Sequence, residues 1–273
     1  MKQKNKFFKP LESELTANQV WVYGKHPVFA ALLNSKRKIF QILITKNSEI
    51  DLRNFLAEKK INLQQHLIKI VDSDYLFNLF PAGSTHQGFV LKTSPIAIVS
   101  HNQFLDKIKN LSKENLPPLL ILDNLTDPQN IGAIIRSAMA FGFKNIVINE
   151  RHFPIHSAVI AKASSGMLEM VDLIAAQNFN NFLADLKKLG YWSVGLDGEA
   201  KSKISEAKNY QPIALVIGSE GEGIRRLVKE NCDLLVKIPM QDGVESLNAS
   251  NAAAIAMYEV GLRNCERSKQ DDA

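Results

Sequence analysis

Three stretches of this chain carry chemically competent side chains on a loop between a short apolar strand and a helix. They are L-I-L-D-N-L-T-D-P-Q-N-I-G-A-I-I-R (Leu120 to Arg136), L-V-I-G-S-E-G-E-G-I-R-R (Leu215 to Arg226) and I-P-M-Q-D-G-V-E-S-L-N-A-S-N (Ile238 to Asn251). In the third, Asn248, Ser250 and Asn251 are good helix-start residues, and Ala252, Ala253, Ile255, Ala256 and Tyr258 continue helically. The second places a glycine-rich loop before a helix, a setting that suggests phosphate binding. Its details oppose that reading. The glycine order is G-x-x-G-x-G rather than G-x-G-x-x-G, the loop has no Walker lysine followed by Ser or Thr, and Glu220 and Glu222 would face a pyrophosphate. Two carboxylates suit a cationic or hydroxyl-bearing ligand instead, and glycine lets the backbone approach a flat group closely. Without a ligand, the same loop is a tight turn whose glutamates complement the dipole of the following helix.

Together the three blocks resemble the signature of the SpoU/TrmH family of RNA ribose 2′-O-methyltransferases, which use S-adenosylmethionine. The resemblance covers roughly Pro118 to the C-terminus. S-adenosylmethionine carries a sulfonium and ribose hydroxyls and no phosphate, in keeping with the acidic loop. By motif position the resemblance implies Gly218, Ile238 and Leu247 as the main cofactor contacts, with Met240, Ala252 and Gly221 nearby. It assigns Asn130, Arg136, Glu220, Ser246 and Asn248 to the active site. It also implies a homodimer, because subunits share the active-site region, and a C-terminal chain tucked into a trefoil knot. General topology rules argue against knots, so periodicity alone would never suggest one.

A ribose hydroxyl is a poor nucleophile at neutral pH, so the transfer needs in-line positioning, a route for the proton and charge stabilisation, and no metal. In an arbitrary chain Arg136 reads as an exposed helix arginine. Family mechanisms have proposed this arginine as the base, but a guanidinium is almost never deprotonated. An RNA phosphate contact that orients the hydroxyl is the better reading. Ser246 and Asn248, without the motif, read as helix caps; with it, ligand or substrate hydrogen bonding is favoured. Glu245 lies near the site with no assigned role. His152 and His156 flank Pro154 in a loop, where a base is conceivable and a solvent-facing histidine is the safer reading.

Alternating strand and helix patterns position these loops. From Val20 come the strand V-W-V-Y-G, a helix H-P-V-F-A-A-L-L-N and the buried strand I-F-Q-I-L-I-T. A helix over 51–60, a strand over 67–71, a short helix from Ser73 and the strand G-F-V-L-K follow. Residues 96–117 read as a linker that holds a short helix. Beyond it, strands at 119–122, 145–148, 192–195, 214–217 and 234–238, with a further one at 168–173, alternate with helices at 129–141, around Ala158, 179–189, 224–231 and 248–263. This predicts a mainly parallel α/β sheet. The domains expected are a disordered basic tail over 1–18, a smaller α/β RNA-binding domain over 19–95, the linker, and a knotted methyltransferase domain over 118–273.

V-Y-G-K-H-P-V-F-A-A-L (Val22 to Leu32) and T-H-Q-G-F-V (Thr85 to Val90) resemble the N-terminal substrate-binding extension of family members that modify large-subunit ribosomal RNA. Charge agrees: residues 1–117 carry 17 Lys and Arg against 9 Asp and Glu, or +8, while the remainder carries 16 against 19, or −3. A basic front half suits an anionic partner. Lys25, Lys36, Arg37 and Lys38 are the candidate phosphate contacts, and His86 and Gln87 either read RNA or stabilise a turn. The substrate expected is a ribosomal RNA ribose, a guanosine; transfer RNA ribose methylation and a noncatalytic assembly factor are the alternatives. No apolar run approaches the roughly 18 residues of a membrane helix, and the start M-K-Q-K-N-K-F-F-K-P lacks a secretory hydrophobic stretch, so a cytoplasmic protein is expected. Cys232 and Cys265 form no metal motif.

Overall fold

The computed structural model describes residues 15–16, 18–80, 84–151, 153–155 and 157–267, with side chains through Gly261. His152, His156 and most of the expected 1–18 tail lie outside the described residues. These residues fall into two compact units, one drawn from Met1–Ile96 and His156–Glu169, the other from Ala97–Ile155 and Met170–Ala273.

In chain order the first unit supplies β1 (Val20–Tyr23), α1 (Lys25–Leu33), β2 (Ile39–Ile44), α2 (Glu49–Glu58), β3 (Ile68–Ile70), α3 (Ser73–Leu79) and β4 (Phe89–Thr93). The second opens with β5 (Ile98–Ser100), α4 (His101–Ile108), β6 (Leu119–Leu122), α5 (Pro128–Ala140) and β7 (Asn145–Ile148). The chain then gives α6 (Ala158–Ala163) to the first unit. It completes the second with β8 (Asp172–Ala175), α7 (Phe179–Lys188), β9 (Trp192–Leu196), β10 (Ser202–Lys203), β11 (Ile213–Ile217), α8 (Arg226–Glu230), β12 (Leu234–Lys237) and α9 (Ala249–Arg267).

The first unit is a four-stranded sheet in the order β1-β4-β2-β3, antiparallel but for the parallel β2–β3 pair. Side chains alternate across a strand, so Trp21, Tyr23, Val90 and Leu43 share one face. That face packs with Leu76 of α3 and Ala158 of α6 in one apolar cluster.

The second unit is an eight-stranded sheet in the order β10-β12-β9-β11-β6-β7-β8-β5, with every adjacent pair parallel. Central strands L-L-I-L and I-A-L-V-I are buried along their whole length, the continuous apolar pattern of strands covered on both faces. Because the strands run the same way, the loops that leave β6, β9, β11 and β12 emerge at one edge of the sheet. Asp127 caps α5 by accepting from the Gln129 and Asn130 backbone N–H groups, with Pro128 in the first turn where its missing N–H is harmless.

Two expectations are corrected. Residues 96–117 are not only a linker: β5 pairs with β8 at the sheet edge, and α4 is anchored by a Ser100–Gln103 capping box while it buries Phe104 and Ile108. A three-residue edge strand is too short to announce itself by alternation. The strand expected over 168–173 begins only at Asp172, because Met167–Met170 form a 3-10 turn. Among the described residues no helix is long and apolar enough to cross a membrane.

Candidate active site

A cavity of about 400 Å³ opens among the loops that follow β9, β11 and β12. Gly218, Gly221, Ile238, Met240, Leu247 and Ala252 all line it, as do Glu220 and Ser246. The β11 loop folds back on itself: Ser219 and Gly223 exchange both backbone hydrogen bonds, at 3.0 and 3.1 Å. Gly218 is sterically required for this. A Cβ there would lie 2.0 Å from the Gly223 carbonyl carbon and 2.2 Å from the Ile224 nitrogen. Gly221 serves differently: its φ is +90° and a Cβ would meet nothing within 4 Å, so backbone conformation demands glycine there.

The lining combines apolar Leu196, Ile217, Ile238 and Leu247 with five carboxylates, Asp197, Glu199, Glu220, Glu222 and Glu245. The single lining cation, Lys229, is already paired with Asp197, and that hydrogen bond holds its ammonium above the ordinary lysine pKa. The cavity is therefore apolar with an acidic rim. It suits a flat, uncharged ring joined to a cationic group and disfavours a phosphate.

Asn248 ties the three motifs together. Its Nδ2 donates to Asn130 Oδ1 at 2.9 Å and to Glu220 Oε2 at 3.2 Å. Its Oδ1 accepts from the Ser250 backbone N–H at 3.0 Å and from Ser250 Oγ at 2.6 Å, and its backbone carbonyl accepts the Ala252 N–H. Both amide hydrogens and the amide oxygen are engaged within the protein, so Asn248 caps α9 and positions Asn130 and Glu220. The cap and the site are the same residue.

Asp123 and Arg225 were not singled out from the sequence. Asp123 directly follows β6, is 0 % exposed, and accepts from the Arg225 backbone N–H at 2.8 Å and from Arg225 Nε at 2.7 Å. The Arg225 guanidinium also lies 5.6 Å from the Phe179 ring centroid. This clamp fixes the far end of the β11 loop to the strand that leads to Asn130. The signal was an acid at the end of a wholly apolar strand, which burial obliges to find a partner. Nearby, Asn124 Nδ2 donates to Glu222 Oε2 at 3.3 Å.

Arg136 is exposed on α5 and lies outside the cavity lining. In the first unit, Lys36 and Lys38 are exposed, Lys38 with its ammonium 5.5 Å from the Phe40 ring centroid, and Lys25 pairs with Asp51 at 2.5 Å. Arg37 is corrected as a phosphate contact. Its guanidinium forms a fork on Glu169, with Nη2 to Oε1 at 2.7 Å and Nε to Oε2 at 3.0 Å, and also donates to the Ser94 carbonyl. The two side chains are 3 % and 2 % exposed. Cys232 is partly buried, and burial pushes its thiol up to about 12, while no cluster of His, Cys, Asp and Glu suited to a metal occurs among the described residues.

The model of the SpoU rRNA Methylase family matches residues 117–258, slightly over half of the chain. The chain belongs to the SpoU rRNA methylase family. A second model, for RNA 2′-O ribose methyltransferase substrate binding, matches residues 21–98. A Synechocystis protein named as an uncharacterized tRNA/rRNA methyltransferase is 34 % identical over 252 residues, and the match spans 92 % of this chain and 65 % of that longer protein. The 23S rRNA (guanosine-2′-O-)-methyltransferase RlmB of Vibrio vulnificus is 35 % identical over 243 residues, 88 % of this chain and 95 % of its own. Among solved structures, the SpoU methyltransferase AviRb from Streptomyces viridochromogenes, in complex with AdoMet, shares the fold at a TM-score of 0.73. It is 23 % identical and the match covers 91 % of each chain. The range matched by the SpoU model includes the β6, β11 and β12 loops whose geometry is described above.

Proposed function

We propose that this protein transfers a methyl group from S-adenosylmethionine to a ribose 2′-hydroxyl of ribosomal RNA, a guanosine of the large subunit. The observation that carries this reading is the Asn248 amide, which joins Asn130 of the first motif to Glu220 of the second beside the cavity. The cofactor fits the residues present: apolar side chains and glycine backbone for the adenosine, and an acidic rim, apart from the Lys229-paired Asp197 and Glu220, for the sulfonium and amine. When bound, it supplies an electrophilic methyl on sulfur.

The chain's own groups do the remaining work. Asn248 leaves the Asn130 amide nitrogen and the second Glu220 oxygen to face a substrate, one as donor and the other as acceptor for a hydroxyl. Arg136, permanently cationic, holds an RNA phosphate and so orients the attacking ribose. The exposed Ser246 hydroxyl adds a hydrogen bond at the cavity rim. Lys25, Lys36 and Lys38 supply sequence-independent attraction for the RNA. We read the active form as a cytoplasmic homodimer. We also read the C-terminal segment as drawn through the loops in a trefoil knot, as the family resemblance implies. Incubation of the full-length protein with methyl-labelled S-adenosylmethionine and either ribosomal or transfer RNA tests the reading. Label on a ribose 2′ oxygen of ribosomal RNA is the expected result. Label on transfer RNA alone would move the substrate, and label only on bases would overturn the chemistry.

A further inference from the structure

The turn His86-Gln87-Gly88 in the first unit is built with unusual care for a surface loop. Gln87 is one of four described non-glycine residues with positive φ, at +54°, a conformation that costs energy and needs a reason. Gly88 follows at +78°, and a Cβ on it would lie 2.1 Å from Ser48 Oγ, so this position of the turn takes glycine. His86 Nδ1 accepts the Gly88 N–H at 3.0 Å and closes the turn from the other side.

The strain aims one side chain. Gln87 Oε1 accepts from Lys162 Nζ at 2.8 Å and from the Lys25 backbone N–H at 3.3 Å. With its oxygen held by two donors, the amide has only one orientation, and its NH₂ group is left outward on an exposed residue with no partner among the described residues. Lys162, on α6, has Gln87 as its sole hydrogen-bond partner among the described residues, and desolvation lowers its pKa with no carboxylate acting against it. Gly24 makes room for the pair: at φ +98°, a Cβ there would stand 3.0 Å from Lys162 Nζ and 3.5 Å from Gln87 Oε1. A fixed NH₂ beside an ammonium with no anionic partner among the described residues is a two-donor arrangement for a phosphate oxygen.

We propose that Gln87 and Lys162 together grip a phosphodiester oxygen of the RNA substrate, a recognition site distinct from the Lys36–Lys38 charge run and from the methyl-transfer cavity. It rests on the reading of RNA as substrate. In this site Gln87 supplies direction and Lys162 supplies charge, so the pair fixes the register of the strand and not merely its attraction to the protein.

The test measures binding of unmethylated ribosomal RNA to the full-length protein over a salt series, alongside steady-state methyl transfer. Gln87→Glu keeps the anchored oxygen but replaces the outward NH₂ by a carboxylate oxygen; Lys162→Met removes the charge. Each is expected to weaken RNA binding about tenfold and to raise KM with kcat and cofactor affinity retained; Lys162→Met also lowers the salt slope by about one. Lys162→Arg restores binding. Gln87→Asn, a residue that tolerates left-handed backbone, guards against misfolding and is expected to lose affinity through its shorter reach. Wild-type RNA affinity, KM and salt slope in Gln87→Glu and Lys162→Met would overturn the proposal. So would a loss confined to one RNA sequence at unchanged slope, which signals contact to a base. If the wild-type protein methylates no RNA yet the variants still lose affinity and slope, the methyl-transfer reading fails and this site stands.

Discussion

Asn248 Nδ2 lies 2.9 Å from Asn130 Oδ1, although 118 residues separate them in the chain. The contact exists because β6 and β12 are parallel strands of one sheet, so the loops that leave them meet at the same edge. Asn248→Asp turns the bridging donor into an acceptor that faces the Asn130 oxygen and the Glu220 carboxylate. Methyl transfer is expected to fall at least a hundredfold, with cofactor affinity much less affected. An Asn130→Ala, Asn248→Ala double-mutant cycle in thermal unfolding should give a coupling of about 1 kcal/mol. Strict additivity of the two would dissolve the link.

The three loops were legible in the sequence because each combines a short apolar run with helix-start chemistry, features that are local. The hub was not, because the role of Asn248 depends on which loops share a sheet edge, and strand order is not written in periodicity. Arg37 shows the same limit in reverse. In K-R-K it looks like surface charge, and only the return of the chain at 156–169 brings Glu169 to it. β5 escaped notice through brevity, and Asp123 because an acid after L-L-I-L looks like the end of a strand rather than the start of a clamp.

Gly218→Ala should collapse the cofactor site. The added Cβ meets the backbone at Gly223 and Ile224, which cannot rotate away as a side chain would. A loss of roughly 1–3 kcal/mol in stability is expected, with cofactor affinity reduced at least tenfold by calorimetric titration. Gly221→Ala, which meets only conformational strain, should cost less on both measures. Equal effects of the two substitutions would contradict the steric assignment.

Breaking the Asp123–Arg225 clamp should act on the loop before it acts on the core. Arg225→Met removes the side-chain partner of a fully buried carboxylate while the backbone N–H of residue 225 still donates to it. Destabilisation of about 2–4 kcal/mol is expected from the uncompensated charge. Asp123→Asn with Arg225→Met, which removes both charges, should recover part of that loss in the same melt. No recovery would mean that Arg225 acts through its packing on Phe179 alone.

His86 should give the fold a pH dependence near neutrality. The residue is 4 % exposed; burial first, and then the positive charge of Lys162, hold its imidazole below its ordinary pKa of 6.5. Its Nδ1 must stay unprotonated to accept the Gly88 N–H. The folded chain thus binds this proton less readily than the unfolded chain. The stabilisation is fully present above the unfolded pKa and is lost as pH falls through the folded value. His86→Asn keeps an acceptor two residues before Gly88 and does not titrate. The melting temperature of the wild type should fall relative to this variant between about pH 7 and pH 5. Parallel curves across that window would show that His86 is not the titrating group.

Arg37 offers the clearest separation between a basic residue that holds the protein together and one that holds RNA. Its fork on Glu169 is almost wholly removed from water, and Asn34 Nδ2 donates to the same carboxylate at 2.8 Å. Removing one partner of such a pair leaves a buried charge uncompensated, at a cost of about 3–5 kcal/mol. Glu169→Gln, which keeps the shape and several hydrogen bonds, should therefore destabilise the protein nearly as much as Arg37→Met, and the double variant should be more stable than either single one. Lys36→Ala and Lys38→Ala should leave the melting temperature within about 1 °C, since surface substitutions change stability little, but each should lower the salt slope of RNA binding by up to one. Arg37→Met, measured where it remains folded, should leave that slope unchanged. A slope that fell for Arg37→Met with no change in stability would return Arg37 to the RNA-binding surface and leave the buried ion pair without a role.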